Sequence, residues 1–204
     1  MELVPTHDDV VALLRRTGGL RSGHFEYPGG QHITEYLQVA LTMRDYQAAK
    51  VLSVGLSRKV RGNTEIRAMI PELSVVAPAT GGLPVAYGVC EALRARQVYW
   101  AERESDREPL HFRQYLEVQP GEKVLLVDDI LRTGNKLAEV KKLVEERGAE
   151  VVGLAVIAYQ PNPIRVNFAP LPLYFLAQLD GQYYANAAAC DLCKRGVPFD
   201  KVRL

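Results

Sequence analysis

Between Asp8 and Arg16, the apolar residues Val10, Val11, Leu13 and Leu14 recur at helical spacing and "TGG" follows, which predicts a short helix. The stretch "GHFEYPGGQHITEYLQVAL" reads as turns followed by a strand over 33–41. Thr42 stands where it caps a helix running through "MRDYQAAKVLSVGLSRKV". From there, short continuous apolar runs alternate with helical ones. Strands are predicted at 73–77, 98–101, 124–127, 151–157 and 171–177, with helices at 85–95 and 135–147, the latter amphipathic and closed by Gly148. "PATGGLP" is a glycine loop, "PGEK" a turn, "ERESDREPLHFRQ" a charged and mobile connection, and "QPNPIRVNFAP" a proline-broken one. From 73 to 157 the order is β-α-β-β-α-β. Strands apolar on both faces belong to a mainly parallel twisted sheet with helices on both sides, an α/β fold. Such folds take ligands at the carboxyl ends of their strands.

Composition narrows the class without adding chemistry. The 204 residues fit one domain, with 48% hydrophobic and 24% charged residues. A net charge of +1 supplies no field for nucleic acid or an anionic membrane. No apolar run is long enough to span a bilayer, and the first residues lack a signal-peptide layout, so the cytoplasm is the expected compartment. Three cysteines are too few for a disulfide framework. Cys90 lies in a helical apolar run. Cys190 and Cys193 form a lone C-x-x-C, read as packing at a helix turn, with a metal shared between two copies as the alternative. No metal-ligating residue is assigned.

The chemistry concentrates in "VLLVDDILRTGNKL", residues 124–137. An apolar strand is expected to end at Val127, so that Asp128 and Asp129 emerge at the carboxyl edge of the sheet. The following loop leads into a helix whose first amide protons are unpaired and sit at the positive end of the dipole. With Gly134 permitting a tight turn, the backbone of 132–136 suits a phosphate. The two carboxylates suit hydroxyl groups or a hydrated divalent cation. A ribose phosphate satisfies both halves. Neither G-x-x-x-x-G-K-[ST] nor G-x-G-x-x-G is present. "VVAPATGGLPVAYGV" repeats the plan of strand, small-residue loop and helix, and suggests a second phosphate loop.

"VLLVDDILRTGNK" resembles the phosphoribosyl-diphosphate (PRPP) motif of type I phosphoribosyltransferases. The resemblance implies that fold, with Asp128 and Asp129 on the ribose hydroxyls. It implies a 5-phosphate held by Arg132, Thr133, Gly134, Asn135 and Lys136, and a diphosphate loop of Ala79, Thr80, Gly81 and Gly82. "YWAERESDREPLHFRQYLEVQPGEKVLLVDD" is similar to the orotate phosphoribosyltransferase branch, in which the charged segment is a lid. By that likeness Arg103 is catalytic, Glu102 and Arg107 lie at the PRPP site, and Arg107 or Arg113 joins Arg103 on the diphosphate. "GHFEYPGGQHITEYLQVAL" and "CDLCKRGVPFDKVR" look like the branch's hood and C-terminal segments. One phosphoribosyltransferase domain is therefore expected, with a hood from about 1–45 plus C-terminal parts and a core of about 46–180.

The implied reaction is Mg²⁺-dependent transfer of ribose 5-phosphate from PRPP to a base, orotate first. Mg²⁺ enters bound to PRPP, and the expected assembly is a homodimer. Base-binding residues are expected to be Gln31, His32, Arg132 and Gln160. Departures fall on that half of the site: Gln31 replaces a common lysine, Tyr159-Gln160 replaces Asp-Arg, and Arg132 replaces threonine. Another acceptor base, or a PRPP- or nucleotide-binding regulator without turnover, are the competing readings.

Overall fold

The computed structural model describes residues 4–105, 108–162 and 164–202. Its chain begins with α1 (His7–Arg16), where Thr6 accepts from the Asp9 amide and Asp9 accepts from Thr6 in return, a reciprocal cap. There follow β1 (Leu20–Glu26), β2 (His32–Leu37), α2 (Val39–Met43), α3 (Tyr46–Arg61) and α4 (Thr64–Met69). The central run is β3 (Ser74–Pro78), α5 (Gly82–Leu93), β4 (Gln97–Ala101), β5 (Lys123–Leu131), α6 (Asn135–Glu146), β6 (Glu150–Tyr159) and β7 (Leu173–Gln178). β8 (Tyr183–Tyr184), α7 (Asp191–Lys194) and β9 (Asp200–Lys201) close the described chain.

Five strands form a parallel sheet in the order β4-β3-β5-β6-β7. Strand alternation divides its side chains between two cores. Val75, Ala77, Leu125, Val127, Ala155 and Ile157 pack with α1, α3 and α5. Val76, Val124, Leu126, Leu154 and Val156 pack with Leu137, Val140 and Val144 of α6. The continuous apolar runs of the sequence are thus explained by burial on both faces.

A smaller sheet has the order β8-β2-β1-β9. β1 and β2 are antiparallel across a turn at Tyr27–Gln31, where Gly30 adopts φ +77°. Its apolar core is small: Phe25, Ile33, Tyr36 and Val202 are buried, with Tyr27 and Tyr183 packed against them.

Four local expectations are corrected. β1 was read as turns because Arg21, Ser22 and Gly23 are all exposed and the register shifts between Ser22 and Phe25, which erases the alternation. The strand expected at 33–41 stops at Leu37, and the chain turns into α2. The helix expected from Thr42 is two helices; Asp45 caps α3 through the Ala48 amide, while the buried Thr42 hydroxyl bonds that of Thr17 at 2.6 Å. β5 does not end at Val127 but runs to Leu131, and β6 runs to Tyr159.

Candidate active site

The longer β5 sets the geometry of the acidic pair. β3 pairs with β5 only as far as Val76–Leu126, although β3 itself runs on to Pro78 against β4. On the other side the ladder with β6 continues through Asp128–Val156, Ile130–Ala158 and Leu131–Tyr159. Asp128 and Asp129 therefore sit in a strand supported on one side and open on the other. The loop after β3 fills part of that opening. A Cβ on Gly81 would lie 3.0 Å from Asp129 Oδ2, and one on Gly82 would lie 3.1 Å from Asp128 Oδ1 and 3.0 Å from the Ala77 Cβ. Only glycines let this loop approach the carboxylates so closely. The loop leads straight into α5, and its Ala79–Thr80 peptide is cis. The two sequence-predicted loops thus converge on the acids.

Asp128 is buried, and its Oδ1 accepts the Asp129 amide at 2.9 Å. Burial, then the neighbouring Asp129 charge, pushes its carboxyl well above the ordinary carboxylate value. Burial also raises Asp129, opposed by hydrogen bonds from its surroundings and by the charges of Arg132 and Lys136. Two carboxylates held at such cost, with no ion pair among the described residues, mark a place for a polyhydroxyl or cationic ligand. They are hard oxygen donors of the kind that suits a magnesium–substrate complex.

Gly134 begins α6 with φ +81°, and a Cβ there would lie 2.8 Å from the Phe168 ring. Thr133, Asn135 and Lys136 surround this turn, the last two exposed, and the first α6 amides face the loop without helical partners.

Arg132 leaves this loop toward the small sheet. Its Nε donates to Gln160 Oε1 at 2.8 Å, its Nη2 donates to the Leu37 carbonyl at 2.7 Å, and its guanidinium lies 5.4 Å from the Tyr27 ring centre. Gln160 is fully buried, so this contact fixes its amide with Nε2 turned away from Arg132. Gln160 Nε2, Tyr27 Oη and Tyr183 Oη are all buried without a hydrogen-bond partner among the described residues. The Tyr27 hydroxyl is raised by burial, and that of Tyr183 is pushed up to about 12 by burial, with Arg132 opposing in both cases. Both phenols are therefore neutral donors at physiological pH. Arg132 thus stands beside Gln160 and Tyr27 where the small sheet meets β5 and β6, and its charge reaches the Tyr183 phenol. Tyr27 and Tyr183 went unnoticed in the sequence because nothing local marks a tyrosine as a pocket donor.

Other expected residues lie elsewhere. Gln31 is exposed at the β1–β2 turn, where its carbonyl accepts from the Tyr27 amide. His32 is buried against His24, Cys190 and Cys193, away from Arg132's partners. Arg103 forms a 2.7 Å ion pair with Glu139 of α6. The Leu110 amide donates to the same carboxylate, Glu102 bridges His111 through its backbone, and Arg113 pairs with the Glu102 carboxylate. The described part of the charged segment is thus docked on α6, not loose. Arg107 lies outside the described residues.

Residues 46–167 match the family model described as phosphoribosyl transferase domain. The chain is 33% identical over 195 residues to the orotate phosphoribosyltransferase of Pelotomaculum thermopropionicum, covering 95% of each chain. It is 33% identical over 189 residues to that of Thermotoga maritima, covering 93% of this chain and 94% of the relative. Among solved structures, orotate phosphoribosyltransferase from Aeropyrum pernix superposes with a TM-score of 0.66 at 20% identity, over 83% of this chain and 93% of that one. Adenine phosphoribosyltransferase from Rhodothermus marinus superposes at 0.61 and 18% identity, over 83% and 99%, so the fold alone does not choose the base.

Proposed function

Because the chain belongs to the phosphoribosyltransferase family, we propose that it transfers ribose 5-phosphate from PRPP to orotate, giving orotidine 5′-phosphate and diphosphate. The observation that supports orotate as acceptor is the Arg132 cation held beside Gln160 and Tyr27, with the unpartnered donors Gln160 Nε2, Tyr27 Oη and Tyr183 Oη buried in the same part of the fold. Orotate presents a carboxylate and two ring carbonyls, an acceptor-rich outline that meets one cation and three donors.

A ring nitrogen of orotate bonds to the anomeric carbon as that carbon's bond to diphosphate breaks, and the proton of that nitrogen passes to the departing diphosphate or to solvent. Asp128 and Asp129 accept from the ribose hydroxyls, and their charge favours the cationic, oxocarbenium-like sugar. The α6 amides, Thr133 and Lys136 hold the 5-phosphate. The backbone of 79–82 receives the diphosphate, and Arg103 exchanges Glu139 for that leaving group as the charged segment closes and excludes water. Mg²⁺, when bound with PRPP, neutralises diphosphate charge; the acidic pair fits such a complex.

A homodimer in the cytoplasm completes the proposal. Exposed Tyr46 and Val51 of α3 and Tyr87 of α5 offer apolar surface to a second copy. No helix among the described residues is long and apolar enough to cross a membrane. Diphosphate release from PRPP, assayed with orotate, uracil, adenine and hypoxanthine, tests the reading. Orotate alone should support turnover. Turnover with a purine would replace the acceptor, and PRPP binding without turnover on any base would make the chain a regulator.

A further inference from the structure

The C-x-x-C near the end of the chain does not stand alone once the chain is folded. Cys190 and Cys193 of the α7 turn face His24 of β1 and His32 of β2. One donor atom from each lies within 4.8 Å of all the others. Cys190 Sγ is 3.4 Å and Cys193 Sγ 3.7 Å from His24 Nε2, Cys193 Sγ is 3.5 Å from His32 Nδ1, and the two nitrogens are 2.7 Å apart. A tetrahedral Cys₂His₂ zinc centre requires about 3.6 Å between nitrogen and sulfur and about 3.3 Å between nitrogens, so these nitrogen–sulfur distances already fit and the imidazoles need to spread by about half an ångström. From these donors we propose that His24, His32, Cys190 and Cys193 form a closed structural zinc site.

Three features support the assignment. The His24 Nδ1 lies 2.9 Å from the Val197 carbonyl, which can only accept. That contact puts the proton on Nδ1 and leaves the Nε2 lone pair facing the sulfurs, the outer-shell arrangement typical of metal-bound histidine. The site is shielded: His24, His32 and Cys190 are buried, and Phe199 packs edge-on against both imidazoles with ring centres 5.4 and 4.9 Å away. Four protein ligands leave no open position, which is the mark of a structural and not a catalytic zinc.

The site also answers a deficit in the fold. The small sheet's own core cluster has four buried apolar residues, and β8 and β9 contribute two residues each. Small cores of this kind rely on staples. Zinc would tie the C-terminal segment to β1 and β2. Tyr183 pairs with Ile33 and Tyr184 with His32, so the same staple steadies one wall of the acceptor pocket, a consequence that rests on the proposed function.

The full chain, purified without chelators and dialysed extensively, should retain about one zinc per chain by plasma mass spectrometry. Cys190→Ser with Cys193→Ser should lose it, whereas Cys90→Ser should keep it. If the double variant does not fold, chelator-stripped wild type titrated with Co²⁺ should develop the visible bands of a tetrahedral thiolate–cobalt centre, and zinc should bleach them. Two of the three thiols should react slowly with a thiol reagent until zinc is removed. Substoichiometric zinc both as purified and after incubation with excess Zn²⁺, full zinc in the folded double variant, or a Cys190–Cys193 disulfide in the metal-free purified chain would each overturn the proposal. All these readouts are independent of turnover.

Discussion

Replacing Arg132 with threonine tests the acceptor pocket most directly. The guanidinium makes two side-chain contacts, to Gln160 Oε1 and the Leu37 carbonyl, and stands over Tyr27. If it also meets the orotate carboxylate, its removal costs one charge-assisted contact, about 1.5–3 kcal/mol. That corresponds to a rise of about 12- to 150-fold in the KM for orotate. PRPP affinity should change little, because in the proposed site the 5-phosphate is held by backbone amides and Lys136. The fold should also suffer: Gln160 is fully buried and loses its partner, at a cost of about 1–3 kcal/mol. In a chain of this size that lowers Tm by about 2–12 °C. Arg132→Lys separates the effects, since it keeps the charge but cannot hold Gln160 and Leu37 together. Steady-state kinetics in orotate at saturating PRPP, calorimetric PRPP titration and thermal melts form the assay. An unchanged orotate KM in Arg132→Thr would refute the pocket assignment, as would an equal loss of PRPP binding.

Asp128→Asn should abolish tight PRPP binding yet raise Tm at neutral pH. The folded carboxyl is held above its ordinary 3.8, so its contribution to stability is fullest below that value and is lost as pH rises through the elevated one. The gain from Asn should therefore be larger at pH 8 than at pH 4, and equal melting shifts at both would contradict the burial argument. Gly134→Ala places a Cβ at φ +81° and against Phe168, so it should cost about 1–2 kcal/mol or more and weaken PRPP binding, measured by denaturant unfolding and calorimetry. Glu139→Ala removes the partner of Arg103 and of the Leu110 amide. Hydrogen exchange at Leu110 and His111 should accelerate while the α6 interior stays protected, and unchanged exchange would mean the segment is held by other contacts. Arg103→Ala should lower kcat more than PRPP affinity, because charge on diphosphate grows as the bond breaks; a loss confined to PRPP affinity would make it a ground-state contact.

The parallel sheet and the two strand–loop–helix turns were legible because burial on two faces leaves an unbroken apolar record, as in 124–127 and 151–157. The β1 strand was not, since its exposed Arg21-Ser22-Gly23 carries no period. Arg132 was noticed as a departure, but its direction depends on Gln160 and Leu37, one 28 and the other 95 positions away. His24 and His32 carry no spacing that links them to Cys190 and Cys193; only the antiparallel register of β1 and β2, with its shift, brings the imidazoles together. The docking of Arg103 on Glu139 likewise joins residues 36 positions apart. Contacts made by tertiary closure leave no periodic trace.

The early end of the β3–β5 ladder has a consequence for solubility. Beyond Leu126, β5 has a loop and not a strand on its β3 side, and until that loop packs, such an edge can recruit foreign strands during folding. Asp128 caps the Asp129 amide with its own carboxylate, and the Ile130 amide is matched by Asp129. The acids thus act as gatekeepers, giving the bare edge charge and local acceptors in place of a neighbouring strand. Asparagine preserves the acceptors, whereas alanine removes both acceptor and charge. Alanine variants of the pair should therefore favour inclusion bodies, a failure of expression added to the loss of PRPP binding.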